Sequence, residues 1–425
     1  MTATFKFFLH LFLISSLLVF FSSFSFAQVK TPHADATQNP VNTSFEFINT
    51  AFENASPLDW EIDDAGSIVV SLIYDHERDS PNRANGHYYF QVQAKPGSDL
   101  TLILQNFHNI WNGRKAIPIS RRTHCYISED GINWRAIRAE LIEDSRLKLD
   151  IHMKGSSLYV ASVEPYRISD LNKLLEEIKD HPLVRITPIG KTVQGRQLEI
   201  TRLGNPDAPY RIFIRTRAHG FESGGNWVAQ GLIRSLLQDD DKDARKYLQK
   251  YCLYIMNMAN KDAVALGRTR FNGLGMDLNR NWDQPADPQY APENHALEKW
   301  LEEMIKKGKK PHLAIDLHND RGGSLHISRP NVNLESYLAN MERFEELLRK
   351  HTWFTEGSTG KNFRNHGSIG EGLLERYGID AFVYELNREW IAGLKKVPFG
   401  KDWEQLGSQL RDVFFAYFSE GYGSQ

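Results

Sequence analysis

Between residues 46 and 165 the chain is a series of short apolar runs, SIVVSLIYD, HYYFQVQA, LTLILQNF, RTHCYIS, RLKLDIH and SLYVASV. They are rich in β-branched and aromatic residues, and the turn-forming segments KPGSD, EDGINW and KGSS separate them. Short runs of this kind predict strands with one buried face, packed as an antiparallel β-sandwich. Near residue 166 the texture changes. SDLNKLLEEIKDH has helical spacing, with Ser169 as the expected N-cap, and helical patterns return from about 223, over 292–308 and over 332–350. Between them RIFIRTRA, CLYIMNM, HLAIDLH and AFVYEL read as buried strands. Alternation of strand and helix over 166–425 predicts an α/β layer fold on a mostly parallel or mixed sheet. The final segment sets Trp403, Leu406, Leu410, Val413, Phe414, Tyr417 and Phe418 on one helical side, a stripe that predicts core packing.

The first 27 residues follow a different logic. Lys6 precedes the apolar run FFLHLFLISSLLVFF, and SSFSFA follows, with Ser25 and Ala27 at the small-residue positions of a cleavage site. This is the layout of a secretory signal peptide, with an uncleaved anchor as the alternative. A polar stretch over 28–45 reads as a flexible leader. Once the signal is removed, no other run is long enough to cross a bilayer, so the expected place of work is secreted or periplasmic, without stable membrane association. The 51 basic and 53 acidic side chains nearly cancel and no dense basic run appears, which argues against a nucleic-acid partner. The two cysteines, Cys125 and Cys252, are too few to staple a small fold, and a pair of free buried thiols is as consistent with them as one disulfide.

Candidate chemistry begins with RTRAHGFESGGN, in which His219 and Glu222 stand three apart just after a strand and just before a helix. H-x-x-E alone is a weak signal. His295 and Glu298 repeat it inside an amphipathic helix, where the pair reads as a solvated i,i+3 contact. The first pair differs in sitting at a strand end, where ligands bind in α/β sheets. A catalytic zinc takes three protein ligands, commonly two histidines and a carboxylate, and the strand HLAIDLH ends in Asp316 and His318. In GRTRFNGLGMDLNRNW, Arg270, Asn279 and Arg280 offer the forks and amides that grip a carboxylate and polarise a carbonyl. Glu385 ends a strand that reads as buried, a costly place for a carboxylate without a partner or a task.

Taken together these segments resemble the zinc metallocarboxypeptidases, whose marks are H-x-x-E, R-x-N-x-x-G-x-D-L-N-R-N, a D-L-H strand end and a late glutamate. Here they read His219-Gly-Phe-Glu222, Arg270 to Asn281, Asp316-Leu-His318 and Glu385, in that order. The β-sandwich runs and HGFESGGNWVAQGLI further resemble the cytosolic carboxypeptidase branch, whose members trim glutamates from protein tails. The resemblance implies a mixed-sheet α/β/α carboxypeptidase domain (166–425) behind a β-sandwich domain (46–165). It implies one Zn2+ on His219, Glu222 and His318, with Asp277 orienting a ligating imidazole. By the same likeness Glu385 takes a proton from water and hands it to the leaving amine, Arg270 stabilises the oxyanion, and Asn279 and Arg280 hold the terminal carboxylate. The expected partner is the C-terminal tail of a peptide or protein.

Two departures from the family pattern stand out. The usual N-P-D-G appears as Asn260-Lys261-Asp262-Ala263, and GSTGKNFRNHGSIGEG lacks the tyrosine that closes over substrate in many relatives. That second stretch is expected to line the specificity pocket. Its Lys361, Arg364 and His366 suit an acidic terminal residue, while Glu371 nearby argues for a merely solvated loop. Trimming of cell-wall peptides and a non-catalytic zinc or peptide-binding role are the rival readings; the complete ligand set with Glu385 argues against the latter.

Overall fold

The computed structural model describes residues 44–419 apart from 79, 239 and 240, so the expected signal peptide and most of the leader lie outside the described residues. The chain opens with β1 (Phe45–Asn49), β2 (Leu58–Ile62), β3 (Ile68–Leu72), β4 (Tyr89–Ala94), β5 (Asp99–Gln105), β6 (Asn109–Trp111), β7 (Arg114–Ala116), β8 (His124–Ser128), β9 (Arg135–Arg138), β10 (Glu140–Ile142), β11 (Arg146–His152) and β12 (Ser157–Ala161). Two five-stranded sheets result, ordered β1-β4-β12-β8-β9 and β10-β11-β5-β3-β2, with β6 and β7 as a separate hairpin. Val70, Phe90, Val92, Leu102, Leu104, Leu147 and Val160 are fully buried and form the shared core. The sandwich is not purely antiparallel as expected: β3 pairs parallel to β5. Cys125 lies in this core and Cys252 in the later sheet; both are free and buried.

The second region comprises α1 (Ile168–Ile178), β13 (Val184–Lys191), β14 (Gln197–Leu203), β15 (Tyr210–Thr216), α2 (Gly224–Leu236), α3 (Lys242–Lys250), β16 (Tyr251–Met256), α4 (Lys261–Ala265), α5 (Pro292–Lys306), β17 (Leu313–Asp320), β18 (Leu325–Ile327), α6 (Glu335–His351), α7 (Ile369–Tyr377), β19 (Asp380–Asn387) and α8 (Gly400–Ser419). Its seven-stranded mixed sheet runs β13-β14-β16-β15-β17-β19-β18, with β16, β15, β17 and β19 mutually parallel. Side chains alternate across it. Ile212, Ile214, Ile315 and Phe382 face a core shared with α2, α6 and α8, whereas Phe213, Ala314 and Val383 face a second core with α5 and α7. The whole expected stripe of α8 is buried in the first of these. Among the described residues no helix is long and apolar enough to cross a membrane.

Two local expectations need correction. Ser169 is not the cap of α1; Arg167 holds that position, and the Asp170 carboxylate accepts from its backbone N–H at 2.9 Å and from its guanidinium. Ser169 sits inside the first turn, where its N–H donates to Glu53. Glu298 is not solvated: it is buried, accepts from the Ala286 N–H at 2.8 Å and pairs with Arg376. A helical stripe read as polar is here the face that meets the loop before α5 and the end of α7.

Candidate active site

Strand register brings the chemistry to one end of the sheet. Arg215 on β15 lies beside Asp316 on β17, and His318 lies beside Glu385 on β19. Residues two apart on a strand share a face, so Asp316 and His318 stand in line above the α5/α7 core. Arg215 donates from Nε and Nη2 to the two oxygens of Asp316 at 2.7 and 2.6 Å, both side chains being buried. Asp316 Oδ2 in turn lies 2.5 Å from His318 Nε2. Burial would raise the Asp316 carboxyl, but the Arg215 and His318 charges hold it well below the ordinary carboxylate range.

His219 approaches from the loop after β15. Arg217 takes a left-handed φ of 61° there and donates to the Gly220 carbonyl at 2.9 Å. A Cβ on Gly220 would stand 2.5 Å from the Arg268 carbonyl oxygen, so only glycine lets this loop lie against the one carrying Arg270. The departure Asn260-Lys261-Asp262-Ala263 forms the start of α4. Asn260 caps it and also donates to the carbonyls of Ala218 and Arg270, tying the two site loops together. His219 Nε2 faces Asp277 Oδ1 at 3.1 Å.

Each imidazole thus turns Nε2 outward to a carboxylate and Nδ1 inward. The two Nδ1 atoms lie 3.1 Å apart, and Glu222 Oε1 lies 2.9 Å from that of His219. Glu222 Oε2 sits 2.7 Å from His318 Nδ1 without hydrogen-bond geometry and has no hydrogen-bond partner among the described residues. Buried acceptors converging in this way fit a shared cation, and two imidazoles with a carboxylate are the donor set of a catalytic zinc, with Asp277 and Asp316 as the outer partners that fix the tautomers.

Arg270 donates from Nε to Asp277 Oδ2 at 2.7 Å, while its buried Nη2 has no partner among the described residues. The Trp111 ring of the β6–β7 hairpin covers the guanidinium of Arg270 at 4.6 Å and that of Arg280 at 5.5 Å. Asn279 Oδ1 accepts from the Ile369 N–H at 2.9 Å, and Arg280 Nη1 donates to the Asn279 carbonyl at 2.7 Å. Glu385 stands across the same cleft of about 400 Å³, whose other wall includes Trp111, Asn112 and Pro118 of the sandwich. Burial and the charges of Asp320 and Glu222 push Glu385 well above the ordinary carboxylate range, against the pull of His318 and Arg270.

Residues 171–390, just over half of the chain, match the Peptidase M14 zinc carboxypeptidase model. The chain belongs to the zinc carboxypeptidase family. Membership makes it a hydrolase of the metallocarboxypeptidase class, and the fold agrees. A metallo-carboxypeptidase from Burkholderia cenocepacia superposes with a TM-score of 0.77 at 19% identity, covering 87% of this chain and 98% of that one. An uncharacterized protein of Zymomonas mobilis is 25% identical over 279 residues, 64% of this chain and 67% of its own. Cytosolic carboxypeptidase 6 of Caenorhabditis elegans is 30% identical over 190 residues, 43% of this chain. That match takes in 39% of the nematode protein, well under two thirds of its length.

Of the residues expected at the carboxypeptidase site, His219, Glu222, Arg270, Asn279, Arg280 and Glu385 line this cleft, while His318 lies behind them with its Nδ1 3.1 Å from that of His219. Of the three cations expected in the specificity stretch, Arg364 and His366 share an adjoining cavity and Lys361 lines neither it nor the cleft. Arg364 also lines the cleft with Phe363, which packs on His326 at 4.6 Å. Lys361 is exposed. Glu371 is buried, where it accepts from the Arg329 N–H. The sequence reading missed Arg215, Trp111 and Asp320. Arg215 carried a signal, a charge inside an apolar strand; Trp111, in a three-residue strand far upstream, carried none.

Proposed function

We propose that this carboxypeptidase uses zinc and removes the last residue from peptides or protein tails, with preference for an acidic terminal side chain. The observation that carries the reading is the meeting, in one cleft, of the His219–Glu222–His318 donor set, Glu385, and the unpartnered Nη2 of Arg270. When bound, the ion polarises the carbonyl under attack and lowers the pKa of water. Arg270 Nη2 offers a hydrogen bond to the oxygen on which negative charge develops. Arg280 and the Asn279 amide hold the terminal carboxylate, so a chain lacking one is not gripped. Glu385, which lines the same cleft, accepts the proton of the attacking water and delivers it to the departing amine. The Trp111 ring gives both guanidinium groups a cation–π contact on the sandwich side of the cleft. The apolar N-terminal run supports action outside the cytoplasm.

Acid preference rests on Arg364, whose Nη1 is anchored on the carbonyls of Lys361 and Phe363 at 2.8 and 2.9 Å while the side chain lines the cleft. Kinetics on peptides differing only in the last residue, including glutamate and diaminopimelate, test it. Arg364→Ala should lower kcat/KM for a glutamate terminus by about 10- to 100-fold, the worth of one charge-assisted hydrogen bond, and leave neutral termini nearly unchanged. An equal fall for all termini, or a diaminopimelate terminus preferred to glutamate, refutes acid preference.

A further inference from the structure

Arg270 is held from three sides, and two of the holds come from the sandwich region. Asp277 takes its Nε and Trp111 covers its plane. The third hold is on the backbone. Asp75, buried in the segment after β3, receives three consecutive N–H groups: Thr269 on Oδ1 at 2.9 Å, and Arg270 and Phe271 on Oδ2 at 2.5 and 3.1 Å.

Neighbouring contacts make this one continuous seam. Thr269 Oγ1 accepts from the Gly86 and His87 N–H groups at 3.2 Å each. The Arg78 N–H donates to the Gly275 carbonyl at 2.7 Å, and Asn82 Nδ2 reaches Asp277 Oδ2 at 3.4 Å. Gly275 has φ 82°, and a Cβ there would lie 2.5 Å from the His76 carbonyl oxygen. Asp75 itself does not line the cleft. A buried carboxylate is costly, and three N–H donors to one carboxylate offset that cost only while the loop keeps this conformation.

We propose that Asp75 is a positioning residue for Arg270: its carboxylate gathers the Thr269, Arg270 and Phe271 N–H groups and so sets the backbone from which the guanidinium is aimed at the scissile carbonyl. The proposal rests on the role given to Arg270 above. Without Asp75, three buried N–H groups lose their acceptor and the loop relaxes. A misplacement of about 1 Å can cost about 10²-fold in rate. Asp75 makes no hydrogen bond to His219, Glu222 or His318, although the Phe221 N–H donates to the Thr269 carbonyl at 3.0 Å, so metal content is read beside the rate.

The test is kcat, KM and metal content for the full protein and for Asp75→Ala, Asp75→Asn, Arg270→Ala and the two Asp75 changes combined with Arg270→Ala. Asp75→Ala should lower kcat on the order of 10- to 100-fold with KM nearly constant and metal stoichiometry unchanged. In the Arg270→Ala background the same change should alter kcat by less than about twofold, because the group it positions is gone. Asp75→Asn, which keeps the volume and one acceptor oxygen, should show a smaller loss with the same disappearance, and it serves alone if the alanine variant does not fold. An undiminished kcat in Asp75→Ala, or an equal loss in both backgrounds, overturns the proposal. An Arg270→Ala protein with normal kcat overturns instead the role of Arg270, and with it the reading of function on which Asp75 depends.

Discussion

Glu385→Gln is expected to lower kcat by at least 10² to 10³, the range found when a single group acting on the transition state is removed, while the protein still binds one metal ion. The substitution keeps size and hydrogen bonding but removes the ability to take a proton. Glu385 is not one of the three proposed ligands, although register sets it beside His318. Burial and two nearby carboxylates, Asp320 and Glu222, raise its pKa above the ordinary carboxylate range. Steady-state kinetics with metal analysis on the same preparation check the result. Near-normal turnover would mean that another group is the base.

The second large effect is on stability. Arg215→Met should destabilise the fold by about 3–5 kcal/mol, because it leaves the Asp316 charge buried with only His318 as partner. Denaturant unfolding measures it. Asp316→Leu added to Arg215→Met should recover part of the loss, since the remaining polar group is then removed as well. The double variant should still bind metal more weakly, by about 10- to 100-fold, because His318 has lost the acceptor that orients it. A single variant as stable as the parent would show that the pair contributes nothing to the sheet.

Residues whose local sequence carried both strand and chemistry were legible before the structure. His219, His318 and Glu385 follow or end apolar runs, and a polar group at such a place has few bland explanations. The α8 stripe was legible for the same reason: its period matches the helix. What sequence could not carry was pairing across space. Asp316 reads as the companion of His318, but its bond to Arg215 appears only once β15 and β17 are in register. Glu298 reads as a surface residue because its burial comes from Arg376 and the loop at Ala286, neither of which marks itself. The parallel β3–β5 pair breaks a rule that holds for hairpin-linked strands, and here a non-local connection overrides it. The largest gap is the sandwich. Trp111 and Asp75 lie far upstream of the loop they touch, in segments with no catalytic signature, yet they flank Arg270.

Mass spectrometry of peptides tests whether His219, Glu222 and His318 hold a metal on which release of the terminal residue depends. The paired substrates are a free acid and its C-terminal amide, incubated with the protein after chelation and again after zinc is restored. Loss of one residue is expected from the free acid alone, only in the zinc-restored sample, with one metal bound per chain. Cleavage that survives complete removal of metal, or that takes the amide as readily as the acid, would contradict that expectation.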